Sequence, residues 1–195
     1  GAAHELAPPL STILLIASEL EADVDPSLRS ELAAIGDEVH TCRTILDQLA
    51  VELGMGHGEA AETVALDRFV TDASPDATID AEPVPVTVPT RLLAQAIRRL
   101  VGNAHDAGAA HVTVHARREA DQVRIEVEDD GSGMDPDTLA RACEPFFTTK
   151  PANEGRGLGL FFVYSLAHQL GGSFRLESSP GHGTRAFLAL PCGAA

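Results

Sequence analysis

Positive charge is scarce in this chain: 14 Lys and Arg stand against 29 Asp and Glu, a formal net charge of −15 at pH 7. A surface that grips a nucleic-acid backbone needs the opposite sign, so nucleic acid is excluded as an expected partner. Cysteine is also scarce. Cys42, Cys143 and Cys192 are too few and too scattered for a secreted disulfide framework or a zinc site, and a reducing, cytoplasmic setting is expected. No apolar run approaches the ~20 residues of a membrane span. No secretory leader is visible, and neither internal repeats nor low-complexity tracts occur. Hydrophobic residues make up 44% of the 195 positions, enough for one good core, or one core and a smaller helical piece.

Residues 1–53 read as two helices. Leu6, Leu10, Ile13, Ala17, Leu20 and Val24 follow an alternating four-three spacing, and Leu28, Leu32, Ile35, Val39, Cys42, Leu46, Leu49 and Leu53 continue it. That is a heptad seam. Asp25-Pro26-Ser27 supplies a turn, with proline placed to open the second helix. One hairpin cannot hide so long a stripe, whereas two make a four-helix bundle, so a homodimer is expected. The alternative is that the stripe packs on the rest of the same chain. Gly54-Met55-Gly56-His57-Gly58 opens a linker at 54–62, and 63–195 forms a second domain. Helices are expected at 66–70, 90–107, 136–143 and 158–170, the last stopped by Gly171-Gly172. Strands are expected at 77–82, 84–88, 111–116, 123–127, 174–177 and 185–190. Helices on one face of a mixed or antiparallel sheet make an α+β sandwich.

Chemistry concentrates in that second domain. Asp129 ends a strand and is followed by Gly131 and Gly133. A carboxylate there can accept from an exocyclic amine, while the glycines let the backbone approach a purine. Gly155, Gly157, Leu158 and Gly159 precede a helix, whose N-terminus can face phosphate oxygens. Asn103, with small Ala104 and Ala107 beside it, offers an amide oxygen suited to Mg²⁺. Lys150 can meet a γ-phosphate. Singly, each has a bland reading as a turn, a tight connection or a helix surface. The order Asn103, Asp129-x-Gly131-x-Gly133, Pro145-Phe146-Phe147-Thr148-Thr149-Lys150, Gly155-x-Gly157-Leu158-Gly159 is much harder to obtain by accident. Near the start, His4 is followed by Glu5, and then by Pro9-Leu10. A neutral imidazole is a nucleophile near pH 7, an adjacent carboxylate can take its proton, and position 4 lies off the seam, towards solvent.

The ordered set resembles the nitrogen and glycine boxes of the ATPase fold shared by histidine kinases, Hsp90, gyrase and MutL, with Gly181-His182-Gly183-Thr184 similar to the kinases' last glycine box. His4-Glu5 with Pro9-Leu10 resembles the phosphoacceptor box of sensor histidine kinases. The resemblance covers nearly the whole chain. It implies that Mg-ATP binds at Asn103, Ala107, Asp129, Gly131, Gly133, Lys150, the 155–159 turn and Thr184. His4 would then be phosphorylated, and an aspartate of a response regulator's receiver domain would take the phosphoryl group. The segment would be the cytoplasmic core of a receptor whose sensing, membrane-bound part lies elsewhere.

Three departures qualify the likeness. Pro8 stands where histidine kinases carry Thr or Asn tied to phosphatase activity, so that activity is expected to be weak. Arg99 replaces a second Asn four residues before Asn103, and Asp106 stands where many kinases have Lys. The run Val39-His40-Thr41-Cys42-Arg43 resembles the redox-responsive RegB/PrrB kinases, which makes Cys42 a candidate redox switch; a small apolar seam residue is the equal alternative. A rival function is an ATP-binding pseudokinase that signals by conformation alone. A phosphate-relay hairpin is the other rival, and the nucleotide boxes argue against it.

Overall fold

The computed structural model describes residues 12, 13, 16, 17, 20, 32–37, 39, 59–150 and 157–193. The chain divides into two units, Gly1–Gly58 and Glu59–Ala195. In the first, every described residue is helical. Ala17 and Val39 of the heptad seam are buried, while Ile13, Leu20 and Ile35 of the same seam are 44%, 47% and 46% exposed. The turn at 25–27, the linker residues 54–58, and His4, Glu5, Pro8 and Cys42 lie outside the described residues.

The second unit is built on period-two alternation. Strands β4 (Val112–Glu119), β5 (Gln122–Asp129) and β7 (Thr184–Pro191) bury Val112, Val114 and Ala116, then Val123, Ile125 and Val127, then Ala186, Leu188 and Leu190. Successive side chains point to opposite faces, so one face of the sheet is apolar throughout. The five-stranded sheet runs β2-β4-β5-β7-β6, with β2 at Thr78–Ala81 and β6 at Ser173–Ser178. β2 pairs parallel to β4; the other ladders are antiparallel. The opposite face carries charge. Arg185 Nε donates to Glu126 at 2.9 Å, and Asp80 accepts from Arg117 at 2.6 Å and pairs with His115 at 2.9 Å.

Helices α1 (Leu66–Ala73), α2 (Thr90–Asp106) and α4 (Gly159–Gln169) cover the apolar face, and short α3 spans Pro136–Arg141. Leu93, Ala96, Ile97 and Leu100 give α2 a buried stripe at helical spacing, and Phe162, Val163 and Leu166 do the same for α4. The result is the expected α+β sandwich. No helix among the described residues is long and apolar enough to cross a membrane.

One element was absent from the sequence reading. β1 (Glu62–Ala65) pairs antiparallel with β3 (Pro85–Val88) in a separate two-stranded sheet. Its four residues are too short to show alternation; the partner strand makes it a strand. The chain before it is also engaged. Glu59 accepts from the backbone N–H of Arg91 at 2.7 Å and of Leu92 at 3.0 Å. Pro89, the N-cap of α2, makes no side-chain cap, so Glu59 satisfies donors that the helix cannot satisfy itself. Residues 59–62, expected as the end of a linker, thus belong to the second unit.

Candidate functional site

Parity along β5 decides which of two adjacent carboxylates enters the site. Val123, Ile125 and Val127 face the helices, so Asp129 follows them inward and Asp130 does not. Asp130 is committed to its own loop. It accepts from the backbone N–H of Ala110 at 2.7 Å and of His111 at 2.8 Å, and lies 2.7 Å from His111 Nδ1. The His111 backbone and side-chain bonds, with Ala110, hold its pKa down at about 2. Asp129 behaves oppositely. Burial raises its pKa, and the negative charges of Asp130 and Glu128 push the same way. The N–H groups of Gly131, at 2.8 Å, and Thr184 oppose the rise.

The C-terminal end of α2 closes against this carboxylate. A Cβ on Gly131 would lie 2.9 Å from the Ala107 Cβ, the Ala107 carbonyl oxygen and Asp129 Oδ1, so only glycine leaves room for the chain to pass. Ser132 N–H donates to the Ala107 carbonyl at 2.9 Å, which ties the loop to the helix. Gly133 has φ +65, and a Cβ there would come within 2.0 Å of the Ser179 carbonyl oxygen. The turn before β7 braces the loop from the other side. Gly181 N–H donates to the Ser132 carbonyl at 2.7 Å. Ser178 Oγ accepts from Met134 N–H at 2.9 Å, donates to the Gly183 carbonyl at 2.7 Å and sits 3.0 Å from Thr184 Oγ1. Thr184 is the register partner of Asp129.

One turn back along α2, Asn103 meets the start of α4. A Cβ on Gly159 would stand 3.4 Å from both amide atoms of Asn103. Leu158, the buried N-cap of α4, offers the first N–H groups of the helix no side-chain hydrogen bond of its own. Phe146 N–H donates to the Gly157 carbonyl at 3.0 Å, joining the Phe-Phe-Thr-Thr-Lys segment to the glycine turn. One turn further back, the Arg99 guanidinium lies over the Phe162 ring, its Cζ 4.8 Å from the centroid. Arg99 Nε is buried without a hydrogen-bond partner.

Asn103, Ala107, Asp129, Gly131, Gly133, Gly157, Leu158, Gly159 and Thr184 are therefore drawn around the C-terminal half of α2 and the N-terminus of α4. Lys150 is engaged differently from the expectation: its ammonium bonds the Asp106 carboxylate at the end of α2. The departure at position 106 and the candidate phosphate cation are one ion pair. Gly155, like His4, Glu5, Pro8 and Cys42, lies outside the described residues. Cys143 is half-buried with its thiol pushed up by burial, and Cys192 is buried. The sequence reading missed Ser178, whose bonds to Met134, Gly183 and Thr184 depend on a register no local pattern reveals.

For a divalent cation the described residues offer little of their own: no cluster of three or more His, Cys, Asp or Glu is present among them. Mg²⁺ keeps its waters and is commonly held by one or two protein oxygens together with substrate phosphates. The Asn103 amide oxygen, beside Gly159 at the first turn of α4, is an oxygen of the kind such an ion takes. A loop closed by glycines, an inward carboxylate and a helix N-terminus have the chemistry to hold a purine at one end and phosphates at the other.

Residues 88–194 match the family described as histidine kinase-, DNA gyrase B-, and HSP90-like ATPase. The sensor histidine kinase RegB of Cereibacter sphaeroides is 30% identical over 195 residues, covering 88% of this chain and 42% of RegB. The sensor kinase CckA of Brucella abortus is 34% identical, over 85% of this chain and 17% of CckA. The chain thus spans less than half the length of these relatives. The structure of full-length ShkA in complex with AMPPNP superposes with a TM-score of 0.64 at 23% identity, covering 100% of this chain and 45% of ShkA. The catalytic domain of the histidine kinase ThkA gives 0.59 at 19% identity, over 67% of this chain and 95% of that domain. These two likenesses are of fold.

Proposed function

Because the chain belongs to the histidine kinase-, DNA gyrase B-, and HSP90-like ATPase family, we propose that it is the catalytic core of a sensor histidine kinase, which binds Mg-ATP in its second unit and phosphorylates His4. The observation that carries the reading is the inward turn of Asp129 beside Gly131 and Ala107, one helical turn from Asn103 at the start of α4. Asp129 accepts from the exocyclic amine of the purine, and the glycine loop lets the ring approach. The α4 N-terminus takes phosphate oxygens. Asn103 would hold Mg²⁺ through its amide oxygen, and the ion would supply neutralisation of charge on the phosphates.

In the transfer step a ring nitrogen of His4 attacks the γ-phosphorus, the bond from that phosphorus to the ADP oxygen breaks, and Glu5 takes the ring proton. The phosphohistidine then passes its phosphoryl group to a receiver-domain aspartate. Positioning supplies most of the rate, since the protein adds little covalent chemistry of its own. The exposed seam residues Ile13, Leu20 and Ile35 support a homodimer that covers them.

Incubation of the chain with γ-labelled ATP tests this reading. Acid-labile, alkali-stable label is expected, and it should vanish in His4→Ala. Label that persists in His4→Ala overturns the acceptor. Nucleotide binding without any label identifies the pseudokinase.

A further inference from the structure

We propose that Arg99 is a nucleotide ligand, binding the terminal phosphoryl group and making the site discriminate ATP from ADP. The proposal rests on the nucleotide reading above and extends it to a residue that the family likeness marks only as a departure.

Three positions on one face of α2 set out the argument. Ala107, Asn103 and Arg99 are four residues apart, so they stack on the same side of the helix about 6 Å per step. Ala107 touches the Asp129–Gly131 loop, where the purine would sit. Asn103 touches Gly159 at the first turn of α4, where phosphate oxygens would sit. Arg99 comes next in the same direction, over Phe162, three residues further along α4. A triphosphate that starts at Asp129 and passes Asn103 has Arg99 ahead of it.

The state of the side chain points the same way. No carboxylate pairs with Arg99 among the described residues. Its Nε is buried without a partner. Its position over the Phe162 ring, Cζ 4.8 Å from the centroid, satisfies none of its N–H groups. An arginine there for packing alone leaves a buried donor unpaired, which an apolar side chain of similar length avoids. A guanidinium seated against an aromatic ring with an unpartnered buried donor is suited to a phosphate, which it can meet through two parallel bonds. Lys150 is already held by Asp106, whereas Arg99 has no carboxylate partner among the described residues.

The test compares the whole chain with Arg99→Met and Arg99→Lys by calorimetry, with Mg-ATP and Mg-ADP as titrants. Arg99→Met keeps the stem over Phe162 and removes the charge. Its affinity for ATP should fall about tenfold or more, the size expected for loss of a charged hydrogen bond, with ADP affinity held within about twofold. Arg99→Lys should lie between Arg99→Met and the wild type. Melting without nucleotide checks the fold, and if Arg99→Met does not fold, Arg99→Lys carries the comparison. An unchanged ATP-to-ADP ratio in the folded variants overturns the proposal, and so does an equal loss for both nucleotides, which would mark a packing role. Binding of neither nucleotide by the wild type removes the underlying reading itself.

Discussion

Replacing Asp129 by Asn separates a purine contact from a loop brace. The substitution keeps one acceptor oxygen and the shape of the side chain but removes the charge. In the native chain the carboxylate is half-buried, accepts from Gly131 N–H at 2.8 Å and from Thr184, and has its pKa raised chiefly by burial. A pKa raised above the unfolded value means that the folded state binds its proton more tightly than the unfolded chain does. Ionising this group therefore costs stability as pH rises from the unfolded value through the native one, and that cost is present in full above the native value. Asn does not ionise. Without nucleotide, Asp129→Asn should melt at pH 7 no lower than the wild type, and any gain should disappear in acid, where both side chains are neutral. With nucleotide the balance reverses. A hydrogen bond from an amine to a carboxylate is worth about 1.5–3 kcal/mol net. At about 1.4 kcal/mol per factor of ten, the loss in ATP affinity is roughly 10- to 150-fold. The Asn amide also turns easily, so two donors can meet at the purine amine. Calorimetry with ATP at pH 7, beside thermal melts without it, reads both effects. An affinity within about threefold of the wild type refutes the purine contact, given that the smallest expected loss is about tenfold. A clear fall in the nucleotide-free melting temperature would show instead that the charge braces the loop through Gly131 and Thr184 by more than its burial costs.

Gly133→Ala should destabilise the second unit by at least about 1–2 kcal/mol from left-handed backbone strain alone. With a Cβ directed 2.0 Å from the Ser179 carbonyl oxygen, the loop must also move. Thermal melting should show a drop on the order of 5 °C or more, and an unchanged melting temperature would contradict the geometry. Asp130, with its pKa held at about 2 by His111 and Ala110, stabilises the fold above the unfolded carboxylate range and loses that contribution as pH falls towards 2. The difference in stability between wild type and Asp130→Asn should be full near neutrality and close between about pH 4 and 2; a difference that persists in strong acid would show that the loop does not depend on this charge.

The order of the glycine motifs made the catalytic unit legible in the linear chain. A backbone that must pass an Ala107 methyl or turn at positive φ accepts little besides glycine, and that constraint is written one residue at a time. The strands of the five-stranded sheet were legible for a similar reason, because alternation along Val112–Glu119 or Gln122–Asp129 is a local consequence of burying one face. The heptad spacing of residues 6–53 pointed to helices from spacing alone, and the described residues of that stretch are helical. β1 was not legible, since four residues show no period and become a strand only by pairing with Pro85–Val88. Nor could the sequence show that Glu59 caps a helix beginning at Thr90, or that Lys150 and Asp106, 44 positions apart, form one ion pair. Tertiary structure also separated Asp129 from Asp130. Adjacent and chemically identical, they are set apart by strand parity: one side chain enters the layer between sheet and helices, and the other is taken up by His111 and Ala110. The same holds for Arg99, which the sequence marks only as a missing Asn. Packing α2 against α4 puts its guanidinium over Phe162 and leaves Nε without a partner, because the neighbours of a side chain come from elements that the chain brings together only on folding.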